Sequence, residues 1–117
     1  MHRVVIIDDE EQAIRDLAGL IKLYCPGLEL VATATSSDEA MEVIYREQPE
    51  IVFLDIQIDA KSGIELLQEM DQVNFEVIFV TAHQHYAIDA LRLSAVDYLL
   101  KPVEVDLLLN SVSRVSE

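Results

Sequence analysis

One short run constrains this chain more than any other: Ile51-Val52-Phe53-Leu54-Asp55-Ile56, five apolar residues around one carboxylate, followed from residue 57 to Gly63 by a polar loop. A run rich in β-branched and aromatic residues, apolar at consecutive positions and bounded by turn formers, predicts a strand covered on both faces. An ionised aspartate inside it would be costly to bury without a partner. Asp55 is therefore expected at the C-terminal end of the strand, opening into a crevice where something cationic meets it.

The other segments can be set around that strand. Val4-Val5-Ile6-Ile7 is a second buried run, and it also ends in acid, Asp8-Asp9-Glu10. From residue 11 to 24 the apolar period becomes helical, with Ile14, Leu17, Ala18 and Ile21 on one face, until Pro26-Gly27 stops it. Residues 28–34 read as a short strand. Ser36-x-x-Glu39 is a capping box, and it opens a helix with Ala40, Val43, Ile44 and Glu47 on one side that ends at Gln48-Pro49. A helix is expected over 64–73, with Ile64, Leu67 and Met70 at helical spacing. Residues 77–81 read as a buried strand ending in Thr81, 85–93 as a short helix, and 97–100 as a strand ending at Lys101-Pro102. A last helix over 105–115 turns Val105, Leu108, Val112 and Val115 inward, and Leu107-Leu108-Leu109 is expected mainly in the core.

Strand and helix alternate five times, which predicts an α/β fold with a doubly wound parallel sheet and helices on both faces. In open sheets of this kind ligands sit outside the carboxyl ends of the strands, where the strand order reverses. Four of the five predicted strands deliver a polar group to that edge: Asp8-Asp9, Asp55, Thr81 and Lys101.

Composition narrows the function. At 117 residues the chain is expected to form one domain. With 22 Asp and Glu against 8 Lys and Arg, a net charge of −14 excludes the basic surface that nucleic-acid binding needs, so no direct nucleic-acid contact is expected. No apolar run approaches the ~20 residues needed to span a bilayer, so no membrane contact is expected. Met1-His2-Arg3 leads straight into a strand, so no signal peptide is expected, and a cytoplasmic location is expected. The single cysteine, Cys25, is expected to pack.

Three carboxylates drawn into one crevice repel one another. At an effective dielectric of ~20 and ~4 Å, each pair costs about 4 kcal/mol. Lys101 alone cannot neutralise them, whereas a small hard dication can, and an all-oxygen site with open positions suits Mg²⁺. A hydrated Mg²⁺ beside a lysine and a hydroxyl suits a phosphoryl group, and one carboxylate could be the nucleophile that takes it.

These residues resemble a known family. Asp8-Asp9 after the first strand, Asp55 with Gly63 eight residues later, Thr81-Ala82 and Lys101-Pro102 are similar, in this order and over essentially the whole chain, to the receiver domain of two-component response regulators. The runs FVTAHQHYAIDAL and AVDYLLKP look most like the LytTR-type (LytR/AlgR) regulators. The resemblance implies a flavodoxin-like (βα)5 fold with strand order 2-1-3-4-5. It implies that Asp55 accepts a phosphoryl group from a sensor histidine kinase, and that Asp9, Asp55 and the backbone carbonyl of Gln57 ligate Mg²⁺ while Asp8 acts mainly through water. Thr81, Ala82 and Lys101 would stabilise the phosphoryl group, Thr81 and Tyr98 would form the switch, and Gly63 and a cis Lys101-Pro102 bond would be structural. Phosphorylation would then rework the face formed by the fourth helix, fifth strand and fifth helix, the place for a homodimer partner or an attached effector. LytTR-type regulators continue into a C-terminal DNA-binding domain, so residues 1–117 are expected as the receiver part of a longer transcription regulator if the natural chain continues. The chemistry implied is self-phosphorylation and self-dephosphorylation, not the turnover of an enzyme.

The chain departs from the family where Met-Pro usually stands: Ile58-Asp59 occupy those positions. Asp59 removes a rigidifying proline and adds negative charge near the expected metal. It keeps a second reading open, a receiver-like interaction domain independent of phosphate. A third, a Mg²⁺-dependent aspartyl-phosphate phosphatase of haloacid-dehalogenase type, needs a second aspartate two residues after the nucleophile, where Gln57 stands. His83 and Gln57 occupy positions that tune dephosphorylation in the family. His83 and His85, without further nitrogen or sulfur ligands, are expected at the surface and not on a metal.

Overall fold

The strands are β1 (His2–Ile7), β2 (Leu28–Ala34), β3 (Ile51–Leu54), β4 (Glu76–Thr81) and β5 (Asp97–Leu100). Between and after them run α1 (Glu11–Tyr24), α2 (Ser37–Glu47), α3 (Gly63–Glu69) and a C-terminal helix (Val105–Val115). The computed structural model describes residues 1–59, 61–82 and 95–115. Its sheet has the order β2-β1-β3-β4-β5, with every neighbouring pair parallel. The expected α/β sheet and its 2-1-3-4-5 order are therefore present; the helix expected over 85–93, with His83 and His85, lies outside the described residues.

Side chains of a strand alternate between faces, and the buried runs divide accordingly. Val5, Ile7, Val52, Leu54, Val77 and Phe79 point to one face and pack with Ala40, Val43 and Ile44 of α2 and Leu66 and Leu67 of α3. Val4, Ile6, Ile51, Phe53, Ile78 and Val80 point to the other, against Ile14, Leu17 and Ile21 of α1 and Leu108 of the C-terminal helix. Cys25 is buried in this second layer, as expected of a packing residue. Consecutive apolar residues in β3 are thus explained: neither face is free for water.

Three expectations change. The helix expected over 64–73 starts at Gly63, capped by the Ser62 hydroxyl accepting from Glu65 N, and ends at Glu69. Met70 turns extended (ψ 135°) yet keeps its side chain in the core, so the apolar period runs one residue beyond the helix. Leu66, not Ile64, supplies the most buried side chain there. In the C-terminal helix only Leu108 of the Leu107-Leu108-Leu109 triplet is buried; the other two lie on the outer surface, as a ~100° turn per residue requires. By contrast, α2 begins and ends as expected: Ser36 accepts from Glu39 N, Thr35 N donates back to Glu39, and Gln48 closes the helix in the left-handed region before Pro49. Among the described residues no helix is long and apolar enough to cross a membrane.

Candidate functional site

Strand register delivers the site. Ile7 pairs with Leu54 across β1 and β3, and the ladder continues one residue further, with Asp55 N donating to Ile7 O at 2.9 Å. On the other side Asp8 N donates to Ala34 O at 3.0 Å. Asp8 and Asp55 therefore leave adjacent strands at the same level, at the point where the chain order reverses between β1 and β3. At the far strand Lys101 N donates to Thr81 O at 2.9 Å, which fixes where the lysine begins its reach. The Lys101–Pro102 bond is cis, as expected.

The carboxylates converge on that lysine. Lys101 Nζ lies 2.6 Å from Asp8 Oδ2, 3.0 Å from Asp55 Oδ2 and 3.1 Å from Glu10 Oε1. One oxygen from each of Asp8, Asp9, Glu10 and Asp55 falls within 4.8 Å of the others, so three acids contact one ammonium and a fourth stands beside them. Asp8 and Asp55 are buried, whereas Asp9 and Glu10 are exposed. Burial pushes the Asp8 carboxyl up to about 6, and the nearby Asp55 charge adds to this; the bonds from Lys101 and from Glu10 N pull the other way without cancelling it. For Lys101, burial alone would lower the ammonium's pKa, but the bonds to Asp8, Asp55 and Glu10 together raise it above its ordinary range. The lysine is therefore a fixed positive charge, and the acid rim still carries an excess of negative charge. An all-oxygen set of this kind, two members of it open to solvent, fits a hard dication that keeps water ligands.

Two further features define the approach. Gln57 is exposed, its N–H donates to Asp55 Oδ1 at 3.2 Å, and its backbone bridges to Ser62. Gly63 sits so close beneath Asp55 that a Cβ there would overlap the Asp55 carbonyl oxygen and meet Leu54 Cγ at 3.0 Å. The loop can fold back under the rim because residue 63 has no side chain. Beside the rim, a cavity of about 680 Å³ opens between α1 and the Lys101–Pro102 segment, with Ala82 and Asp16 among its walls.

Comparison with known proteins decides the family. Residues 4–113 match the response regulator receiver domain. The chain belongs to the response regulator receiver domain family. An uncharacterised response regulatory protein of Yersinia pestis is 40% identical over 99% of this chain and 49% of its own length. The sensory transduction proteins LytT of Enterococcus faecalis and LytR of Staphylococcus haemolyticus are each 34% identical, over 100% and 97% of this chain and 48% and 44% of their own lengths. This agrees with the LytTR-type resemblance, and the receiver domain spans about half the length of these curated relatives. Among solved structures, a LuxR-family DNA-binding response regulator of Staphylococcus aureus superposes with a TM-score of 0.88 at 26% identity, covering 100% of both chains. The response regulator domain of Thermotoga maritima CheB gives 0.84 at 26%, covering 100% of this chain and 98% of its own. Receiver domains of this family serve two-component signalling, generally bind Mg²⁺ and typically interact with a histidine kinase.

Within the receiver domain, the structure brings Asp8, Asp9, Asp55 and Lys101 together. Thr81 is fully buried at the end of β4, and Ala82 is exposed beside the cavity. Tyr98 is half-buried on β5, opposite Phe79 and against the α2–α3 side of the core. Sequence reasoning did not assign Glu10 to the site, although it directly follows the Asp8-Asp9 pair. The Asp59 contact was also missed, since nothing local announces it. Asp59 accepts from Ser37 N, from Ser37 Oγ and from Lys61 N, so its charge is engaged at the start of α2.

Proposed function

We propose that this receiver domain is a phosphoryl-accepting switch in which Asp55 is the acceptor. The observation that carries this reading is the convergence of Asp8, Glu10 and Asp55 on Lys101, with Asp9 alongside, at the carboxyl edge of the sheet. An Asp55 carboxylate oxygen attacks phosphorus, the bond from phosphorus to the donor nitrogen of a kinase phosphohistidine breaks, and the electron pair returns to that nitrogen. Asp9, Asp55 and the Gln57 carbonyl, with Asp8 through water, would hold Mg²⁺, which would supply charge neutralisation for the phosphoryl oxygens. Lys101, already within hydrogen-bond distance of Asp55, exchanges a carboxylate partner for a phosphoryl oxygen. The buried Thr81 hydroxyl contributes a further donor, and exposed Ala82 leaves the approach open.

The acceptor then carries roughly −2 in place of −1, with more acceptor oxygens. That change pulls Thr81 and Lys101 toward it and biases the packing of Tyr98 and the outer surface of β5 and the C-terminal helix. Leu100, Leu107 and Leu109 are exposed on those elements, which supports a homodimer or effector contact there. The relatives named as sensory transduction proteins and the DNA-binding Staphylococcus aureus structure support a transcriptional output through a domain beyond residue 117. The domain acts as a switch, with no turnover of an external substrate: Gln57 offers no carboxyl to serve as a phosphatase general acid. The phosphate-independent reading rested on Asp59, whose charge is taken up by Ser37 and Lys61.

Intact-mass measurement after incubation with a small acyl phosphate tests the proposal. A gain of one phosphoryl group in Mg²⁺, lost in chelator, is expected; an unmodified mass in saturating Mg²⁺ would overturn it.

A further inference from the structure

The loop that carries Gln57 is held from two sides. Ile58 is fully buried in the same core layer as the inner face of α2. Asp59, the next residue, is exposed, but its carboxylate is not idle. Oδ2 accepts from Ser37 N at 3.0 Å and from Ser37 Oγ at 3.0 Å, while Oδ1 accepts from Lys61 N at 2.9 Å. Ser37 is the first residue of α2, so its N–H has no acceptor within the helix, and the carboxylate also meets the positive end of the helix dipole. These bonds hold the Asp59 carboxyl below its usual range, the Ser37 N–H first and the Lys61 N–H next. A buried isoleucine fixes the depth of the loop; a carboxylate clamped by donors on both sides fixes the direction of its backbone.

We propose that Asp59 is a positioning residue: by latching the loop to the first turn of α2, it holds the Gln57 backbone in register with the acid rim. This deepens the reading of the rim as a Mg²⁺ and phosphoryl site and rests on it. The latch replaces the stiffness that a proline would give this loop with a bond to a neighbouring element, so the loop and α2 move as one body.

A competing account is that Asp59 acts only through its negative charge. Ser37→Pro separates the two. It removes both Ser37 donors and leaves every charge in place, and proline is tolerated at the first position of a helix. Ser36 already has the extended backbone (φ −141°, ψ 163°) that a following proline requires. Mg²⁺ affinity by titration calorimetry and amide exchange at Lys61 and Gly63 are measured for the wild type, Ser37→Pro, Asp59→Ala and the double variant. Supporting positioning groups of this kind change metal affinity by roughly tenfold. The latch predicts that loss in Ser37→Pro, with faster exchange at both amides and no further loss in the double variant over Asp59→Ala. Ser37→Ala, which removes only the hydroxyl, shifts both readouts less and in the same direction, and serves where the proline variant does not fold. Unchanged affinity and exchange in Ser37→Pro, with Asp59→Ala alone weakened, would overturn the latch in favour of charge. Absence of Mg²⁺ binding in the wild type would defeat the reading of the rim instead, and exchange at Lys61 and Gly63 would still decide the latch.

Discussion

At the scale of single residues, the site depends on close approach and on shared charge. Gly63 lies where even a methyl group would meet the Asp55 carbonyl oxygen and the Leu54 side chain. Gly63→Ala is expected to destabilise the domain by about 1–3 kcal/mol, since backbone and not a flexible side chain must give way. Chemical denaturation would show it as a lower midpoint at unchanged slope. Asp8 makes a different prediction. Its carboxyl is raised to about 6 by burial, above the ordinary 3.8, so without metal its contribution favours folding below the ordinary value and is lost as pH rises through about 6. A cation that needs Asp8 ionised must displace that proton. Mg²⁺ affinity is thus expected to fall as pH drops below about 6, approaching tenfold per unit, with proton release on binding. Calorimetry between pH 7 and pH 5 in two buffers would check both, and an affinity flat across that range would contradict the assignment.

At the scale of elements, caps and ties decide where helices begin and what they hold. Ser62→Ala is expected to cost about 1 kcal/mol by leaving Glu65 N without its acceptor, and to fray the start of α3 directly below Asp55. Exchange of the Glu65 amide would report the fraying more directly than global stability. The strands were legible in sequence because burial on both faces forces unbroken apolar runs. Their ends were less so: β1 reaches back to His2 because that residue pairs with Leu28, a register no local pattern reveals. The apolar period overruns α3 because Met70 continues it while its backbone has already turned extended. Asp8, Asp55 and Lys101 could be read as a site from their common place after strands, and Glu10 could have been added on the same ground. The Asp59–Ser37 bond spans 22 residues of sequence, and neither residue type announces the other.

At the scale of the whole molecule, a net charge of −14 coexists with a site whose own acids outnumber its one lysine. Strand order is what turns composition into chemistry: two acid-ended strands become neighbours at the reversal of the sheet, and the last strand supplies the cation from across it. The alternation of elements predicted the sheet, but its order came from family resemblance, because apolar runs do not say which run lies beside which. The proposed role of Asp55 as acceptor requires that this edge set it chemically apart from the acids around it. The most direct test is to load the protein with an acyl phosphate in Mg²⁺, digest it under conditions that preserve the acyl phosphate, and locate the modified residue by fragment mass. The phosphoryl group is expected on Asp55, with no modification in Asp55→Asn; a phosphoryl group on Asp8, Asp9 or Glu10 in the wild type, or undiminished labelling of the variant, would overturn that assignment.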